Sequence, residues 1–225
     1  MLVHPWDAVP EERWRTVLAE NNFGQLVTSG HVEGYPVVVP THFTYDGDRT
    51  VVLHLARPNP VWQALDVDPR IVIAVVADHA YVEAAWNADL DLTATERAQT
   101  GVPTSYYTSV QVRGRATVVD DPDEKAAILD RQLAHLEPPG STRLPPSTGA
   151  GQDRRLLPGI RGIRVEVDGV LAKMKYGGNK SAAHRTAVAE HLEARGAALD
   201  AAAARRVRES VDGTLAPRAG AMRQA

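Results

Sequence analysis

Three segments of the sequence carry side chains whose types and spacing could do chemistry. The first, from His54 to Trp62, ends a predicted strand and begins a predicted helix. Arg57 and Asn59 stand just before the free N–H groups of that helix start, and such groups together can bind an anion, phosphate above all. The alternative is structural, with Asn59 capping the helix and Pro60 at its first position. Spacing alone leaves both roles open.

The other two segments also admit a structural interpretation. Residues 78–86 place His79 beside a strongly apolar predicted strand, where a single histidine is more often a hydrogen-bonded structural residue than a catalyst or metal ligand. Residues 173–181 hold three lysines within eight positions, next to Gly177-Gly178. These lysines can bind a phosphate or a carboxylate, or they can form a solvated charged surface.

The composition narrows the classes of function. The 225 residues carry 25 Lys+Arg against 28 Asp+Glu, a formal net charge of −3, which disfavours direct binding to nucleic-acid phosphates. The sequence has no cysteine, so thiol catalysis, disulfides, Cys-ligated zinc and iron–sulfur clusters are excluded. Nucleotide-binding and hydrolase motifs such as G-x-G-x-x-G and G-x-S-x-G are also missing. We expect no membrane span and no secretory signal, and therefore a cytoplasmic protein.

The elements that must position these residues are mostly strands. Alternating or continuous apolar patterns predict seven of them: residues 23–29, 37–45, 50–55, 71–76, 81–86, 106–120 and 160–174. Helices are predicted near residues 10–20, 60–65, 123–136 and 182–194. Asp46-Gly47 indicates a hairpin turn, and Gly114 a bulge or a close backbone approach. Mostly consecutive strands with short connections favour an antiparallel sheet closed into a barrel, with helices at its ends.

The predicted organisation is one domain with an appendage. Residues 137–159 form a long Pro-, Gly- and Ser-rich loop rather than a linker, because the strand pattern that follows cannot bury itself alone. The domain therefore extends over residues 1–195. Residues 196–225 are rich in Ala and Arg without an apolar stripe, and we expect this tail to be frayed or disordered.

Four motifs in order resemble those of the PaiB-like family, described as FMN-binding negative transcriptional regulators with a split β-barrel fold. H-x-A-R-x-N-P-x-W is complete from His54 to Trp62. The other three are H-A-Y-[IV]-x-x-x-W, V-P-T-x-x-Y, and I-x-G-[FI]-x-[IV]-x-[IV] leading to K-x-K-x-x-x-N-[RK]-S, and they lie at residues 79–86, 102–107, 160–167 and 173–181. The resemblance extends over residues 1–192.

The resemblance implies FMN as the cofactor and a homodimer with the flavin at the subunit interface. Arg57, Asn59 and the helix N–H groups would hold the phosphate, and the backbone from Val39 to His42 would face the isoalloxazine ring. The residues thereby assigned to the cofactor are Val39, Thr41, His42, His54, Arg57, Asn59, Trp62, His79, Tyr107, Lys175, Asn179 and Lys180. No catalytic residue and no metal site is assigned.

The sequence departs from the family pattern around the expected ligand. Glu83 to Asn87 replace S-P-S-W-Y, residues 105–107 replace W-N-Y, and Gly177 to Lys180 replace S-Q-N-R. Small residues at 105, 177 and 178 would suit a pocket enlarged for a bulkier ring system, because glycine lets a planar ligand approach the backbone. Drift in a weakly constrained loop explains them equally well.

Two classes of function follow from the resemblance. The first is an FMN-binding, regulator-like protein, for which the sequence offers no DNA-reading element. The second is a redox enzyme on the same fold, either a flavin-dependent oxidoreductase or a haem-dependent enzyme that closes an N–N bond, as in the piperazate synthases. In the haem case His54 or His79 would be the axial ligand. Whether the protein is an enzyme is open at this point.

Overall fold

The computed structural model describes residues 1–149 and 151–212, and its framework is a single antiparallel sheet. The strands are β1 Phe23–Val32, β2 Tyr35–His42, β3 Thr44–Tyr45, β4 Thr50–Ala56, β5 Arg70–Val82, β6 Thr104–Val119 and β7 Ile160–Lys175. Their order in the sheet is β2-β1-β5-β6-β7-β4-β3. The predicted class, mainly β with flanking helices, is confirmed.

The sheet does not close into a hydrogen-bonded barrel over the described residues, because β2 and β3 form its two edges. Along the chain, however, only Phe43 separates these edge strands. One predicted strand, residues 37–45, is thus divided between both edges: β2 pairs with β1, with Val39 opposite Leu26, and β3 pairs with β4. The buried ring of Phe43 anchors the point of division.

Strand β5 contains the predicted strand 71–76 and continues to Val82; of the predicted strand 81–86 only the first two residues belong to it, because residues 84–86 lie in a short helix, Ala84–Asn87. The backbone passes through Asp78 at φ 49°, a left-handed conformation that is uncommon outside glycine. Two hydrogen bonds hold this residue: the Asp78 carboxylate accepts from Arg206 Nε at 2.7 Å, and its carbonyl accepts from the Tyr176 hydroxyl at 2.9 Å. The continuous apolar run at residues 71–76 is typical of a strand buried on both faces, but burial alternates along β5 and Val76 is 59% exposed, so only one face of this strand is buried.

The helices fill the connections between strands and follow the last strand. They are α1 Glu11–Glu20, α2 Val61–Val67, α3 Ala84–Asn87, α4 Ala94–Thr100, α5 Pro122–Leu136, α6 Gly151–Leu156, α7 Ala182–Arg195 and α8 Asp200–Val211. Asp121 and Ser181 cap α5 and α7, their side-chain oxygens accepting from first-turn amides. None of the helices in the described ranges is both long and apolar enough to cross a bilayer.

The described residues form two compact units. Unit 1 consists of residues 1–16, 76–110 and those from 172 onward, and unit 2 of residues 17–75 and 111–171. In unit 2, α2 packs on β1 and β2, and α5 packs on β4 over a core cluster of Val52, Val119 and Ile128. In unit 1, α7 packs against α8.

The predicted frayed tail needs a correction for residues 200–211, which form α8. Ala203, Ala204 and Val207 are fully buried, and the Arg206 guanidinium is buried in an ion pair with Asp78. The buried stripe escapes the sequence pattern because two of its three apolar residues are alanines and its two other buried residues, Asp200 and Arg206, are charged. Residues 213–225 of the predicted tail lie outside the described residues.

Gly114 confirms the predicted close approach of two backbones. A Cβ atom at this position of β6 would lie 2.2 Å from the Glu166 carbonyl oxygen of β7, so no side chain fits there. Strand β6 nevertheless continues from Thr104 to Val119. The glycine therefore serves strand packing within unit 2.

Candidate functional site

The first motif builds a tight turn between β4 and α2 in unit 2. The Ala56 carbonyl accepts hydrogen bonds from the Asn59 backbone N–H at 3.0 Å and from the buried Trp62 indole N–H at 3.1 Å. Asn59 Oδ1 accepts from the Val61 backbone N–H at 3.0 Å. Asn59 therefore satisfies the first amide of α2, which is a structural role, but Pro60 rather than Asn59 occupies the N-cap position of this helix.

Arg57, the predicted phosphate ligand, belongs to a cluster of two guanidinium groups around one carboxylate. Its Nη2 donates to Asp120 Oδ1 at 2.8 Å and its Nε to the Pro158 carbonyl at 2.7 Å. Arg161 donates to the same carboxylate through Nη2 at 2.6 Å and lies 5.0 Å above the centre of the Trp62 ring. Hydrogen bonding from Arg161, and then from Arg57, lowers the pKa of Asp120. The cluster carries a net positive charge at neutral pH.

This cluster is accessible to a ligand. The side chains of Arg57 and Asp120 are 47% and 46% exposed, so an incoming phosphate dianion can take the place of the carboxylate on both guanidinium groups. The charges thus fit the phosphate of the predicted cofactor. In the present arrangement Asp120 competes for that position.

A second polar group of unit 2 connects His54 to β2 through Gln132. His54 Nδ1 lies 2.5 Å from Gln132 Oε1, and Gln132 Nε2 donates to the His42 carbonyl at 3.3 Å. The carbonyl requires an N–H donor, which assigns the amide orientation and leaves Oε1 facing His54. His54 Nδ1 must therefore carry a proton, and in the neutral ring the lone pair then lies on Nε2.

Strand β2 offers the backbone groups that an isoalloxazine ring requires. As an edge strand it pairs only with β1 in the described sheet, so its outward N–H and C=O groups are free of ladder bonds. Val39, Thr41 and His42 lie in its second half. The His42 ring packs edge-to-face on Phe23, at 4.8 Å between ring centres, and its Nδ1 lies 3.3 Å from Asn22 Oδ1.

The remaining residues assigned by resemblance lie in unit 1: His79, Tyr107, Lys175, Asn179 and Lys180. His79 is exposed on β5. Lys175 Nζ donates to Thr104 Oγ1 at 2.7 Å, and Tyr107 has the Lys173 ammonium 5.8 Å from its ring centre. Lys173 itself is buried, 3.4 Å from the Asp7 carboxylate and donating to the Leu2 carbonyl. Lys173 and Lys175 are therefore each held by a hydrogen bond to another part of unit 1.

Gly177 and Gly178, which depart from the family pattern, lie in close contact with other residues of the same unit. A Cβ at Gly177 would lie 2.4 Å from the Tyr106 hydroxyl, and a Cβ at Gly178 would lie 2.3 Å from the Trp6 carbonyl oxygen. Tyr106 is fully buried and occupies another of the departing positions. The two departures are therefore coupled, and the space beside Gly177 is filled by Tyr106 rather than left open for a bulkier ring.

A cleft of about 610 Å³ lies in unit 1, between the loop that follows α3 and the start of α7. Asp89 and Asp91 line one part of it, and Asn179, Lys180 and His184 line another. Lys180 Nζ is 3.6 Å from Asp89 Oδ1. Asn179 and Lys180, assigned to the cofactor by resemblance, thus share a cleft with two carboxylates and a histidine that the sequence did not single out.

Six residues of these sites escaped the sequence analysis: Asp89, Asp91, Asp120, Gln132, Arg161 and His184. Asp120 lies 63 positions from Arg57 and 41 from Arg161, and Gln132 lies 78 positions from His54. Local spacing carries no information on contacts of this range. One sequence feature could have indicated Gln132: it is a polar residue at a helical spacing where α5 would be expected to bury an apolar one.

The seven-stranded antiparallel sheet with flanking helices is the fold of the FMN-binding split barrels. The family model described as "Putative FMN-binding domain" matches residues 3–169, and the chain belongs to this family. Membership confirms FMN as the predicted cofactor. No curated protein matches the chain in sequence.

Three solved structures share the fold at low sequence identity. The flavocytochrome Anf3 from Azotobacter vinelandii is 19% identical, with a TM-score of 0.58 over 76% of this chain and 70% of that one. The FAD and haem binding protein from Mycobacterium smegmatis is 20% identical, with a TM-score of 0.52 over 76% and 74%. A conserved hypothetical protein from Mycobacterium tuberculosis is 14% identical, with a TM-score of 0.53 over 77% and 90%.

Proposed function

We propose that this protein is an FMN-binding flavoprotein of the PaiB-like type, in which Arg57 and Arg161 hold the flavin phosphate and the backbone of β2 faces the ring. The observation that carries the proposal is the Arg57–Asp120–Arg161 cluster, where two guanidinium groups share one accessible carboxylate. Two such groups match a phosphate dianion bidentately. The edge of β2 supplies donors and acceptors for the polar edge of the ring. Bound FMN supplies one- and two-electron redox chemistry.

The test is a titration of the apoprotein with FMN and with riboflavin, which lacks the phosphate. Arg57→Ala should weaken FMN binding by about tenfold to a hundredfold, because it removes charge-assisted hydrogen bonds worth about 1.5–3 kcal/mol. Riboflavin affinity should not change. Asp120→Asn should strengthen FMN binding, because it removes the anion that competes for the guanidinium groups.

The matched control is Arg70→Ala, since Arg70 forms a similar exposed ion pair with Asp68 in unit 2. An Arg57→Ala variant that binds FMN as tightly as the Arg70→Ala variant would refute the assignment of the phosphate site. Wild-type protein that binds no FMN would refute the flavoprotein itself.

We include in this proposal the regulatory role that the resemblance implies. In it, the chain does not read DNA itself; instead, whether FMN is bound is the signal that a protein partner recognises. The formal charge of −3 supports this form of regulation. A protein partner captured only by the FMN-loaded protein is the expected result. DNA binding by the chain alone that is equal with and without FMN would contradict it.

Haem is the second candidate ligand, favoured by the tautomer of His54. Donation from Nδ1 to Gln132 leaves the Nε2 lone pair free, which is the arrangement of a metal-ligating histidine held from behind. Haemin added to the apoprotein should then give a Soret band that shifts in His54→Ala and not in His79→Ala. An unspecific haemin spectrum together with tight FMN binding would exclude this candidate.

We also propose that the protein is a homodimer, as the resemblance implies. Tyr35 and Val38 are 75% and 54% exposed on β2, and an edge strand with exposed apolar side chains is a ready pairing surface. Light scattering at micromolar concentration should give twice the chain mass of 24.4 kDa. Val38→Lys should shift the equilibrium toward monomer, and a monomeric wild-type protein would overturn the proposal.

A further inference from the structure

The cleft of unit 1 combines groups of opposite charge with an unsatisfied buried histidine. His184 is 3% exposed, belongs to the cleft lining, and its Nε2 has no hydrogen-bond partner among the described residues. Buried polar atoms are rarely left without a partner, because the lost hydration is not recovered. His184 thus brings to the lining of the cleft a ring nitrogen whose hydrogen-bonding capacity no described residue satisfies.

The start of α7 gives one part of the cleft a preference for an anion. This helix has 14 residues, and the first N–H groups of a helix have no intrahelical acceptor. Ser181 caps it, accepting from the His184 backbone N–H at 3.2 Å, and Lys180 adds an ammonium group beside the cap. Burial first, and then the charge of Lys180, lower the pKa of His184, so its ring is neutral at pH 7 and adds no further charge.

The loop after α3 gives the other part a preference for a cation. Asp89 and Asp91 both line the cleft and are both exposed. Lys180 is near Asp89 only, at 3.6 Å, a separation longer than a hydrogen bond. A single ammonium group cannot balance two carboxylates, so a negative charge remains on this side while the helix start remains positive on the other.

We propose that this cleft binds a small zwitterion of the ω-amino-acid class, with its carboxylate at Lys180 and the start of α7 and its ammonium group at Asp89 and Asp91. A simple anion would be repelled by the two aspartates, and a simple amine would leave the helix start and His184 without a partner. The volume of about 610 Å³ admits a molecule of this size. The proposal goes beyond FMN binding and does not depend on it, because every group that carries it lies in unit 1.

The experiment measures binding of glycine, 4-aminobutyrate and 6-aminohexanoate to the full-length apoprotein, by calorimetry and by the NMR signals of the His184 imidazole. Butyrate and butylamine, each lacking one charged end, are the comparison ligands. The expected result is one preferred chain length, a shifted His184 signal, and affinity at least about tenfold above that for butyrate or butylamine. Lys180→Gln and Asp91→Asn should each lower the affinity by about tenfold or more.

Asp130→Asn is the matched control, since Asp130 is an exposed aspartate of unit 2. Far-ultraviolet circular dichroism checks that each variant is folded, and all three substitutions are at accessible or partly accessible positions. Butyrate or butylamine binding as tightly as the best amino acid would overturn the zwitterion. Equal affinity in Asp91→Asn and Asp130→Asn, or no binding of any amino acid at tens of millimolar, would overturn the site.

Discussion

Replacing Gly177 with alanine probes the coupling between this glycine and Tyr106, and so probes why the chain departs from its family at both positions. Gly177 has φ 72°, a left-handed conformation that costs a non-glycine residue about 1–2 kcal/mol. The new methyl group would also lie 2.4 Å from the Tyr106 hydroxyl and 3.2 Å from its ring carbon Cζ. Tyr106 is 1% exposed and rigid, so relief of this overlap requires core movement, which typically costs about 1–3 kcal/mol. The two contributions together predict a loss of about 2–5 kcal/mol in the free energy of unfolding.

Tyr106→Phe separates the two contributions. It removes the atom at 2.4 Å and leaves the backbone conformation unchanged, so it should recover about 1–3 kcal/mol of the loss caused by Gly177→Ala. Alone it should be neutral or stabilising, because the Tyr106 hydroxyl is buried without a hydrogen-bond partner in the part of the chain that the structure describes.

Urea denaturation of wild type, both single variants and the double variant gives the coupling energy directly. Additive effects within about 0.5 kcal/mol would refute the packing explanation. The space beside Gly177 would then be available to a ligand, and the enlarged-pocket hypothesis would stand again.

Three further substitutions test contacts within one unit each. The buried Lys125 ammonium donates to the Leu157 and Ile160 carbonyls at 2.9 and 3.3 Å. Lys125→Met keeps the side-chain volume but removes both hydrogen bonds, and should lower the free energy of unfolding, measured in urea, by about 1–3 kcal/mol. Unchanged stability would show that these hydrogen bonds contribute nothing. Gly114→Ala should prevent folding or strongly lower the melting temperature, because its Cβ would lie 2.2 Å from a carbonyl oxygen; a soluble variant with wild-type melting would contradict the close approach of β6 and β7. Hydrogen bonding from Arg195, with help from the Ala197 backbone N–H, lowers the pKa of Asp200 below its ordinary 3.8. The stabilisation that the Asp200 carboxylate contributes is therefore complete above pH 3.8 and is lost as the pH falls through the lower folded pKa. Asp200→Asn should reduce the free energy of unfolding at pH 7 and weaken its decrease at acidic pH, and a wild-type decrease in the variant would contradict the assignment.

The strands were predictable because their signal is local. Alternation of apolar residues located most of the sheet to within a few residues, and Gly114 indicated either a bulge or the close backbone approach that the structure has. The signal failed where burial depended on the partner. Phe43 divides one predicted strand between two edges of the sheet, and β5 continues through Asp78 to the first two residues of the next predicted strand, both for reasons that lie in other segments of the chain.

The sequence predicted the motif residues of the candidate sites but not the residues that contact them, and this difference has a physical cause. Motif positions such as Arg57 and His54 were found from their neighbours in sequence, but the groups that decide their chemistry were not. Asp120 binds the Arg57 guanidinium that the proposal assigns to the phosphate, and Gln132 accepts the hydrogen bond that places a proton on His54 Nδ1. A motif therefore specifies which side chains can react, while residues distant in sequence set their charge, tautomer and access. Under the proposed assignments Asp120 bears on phosphate binding and Gln132 on haem ligation, so we expect substitutions at Asp120 and Gln132 to separate the two ligands more sharply than substitutions in the motif itself.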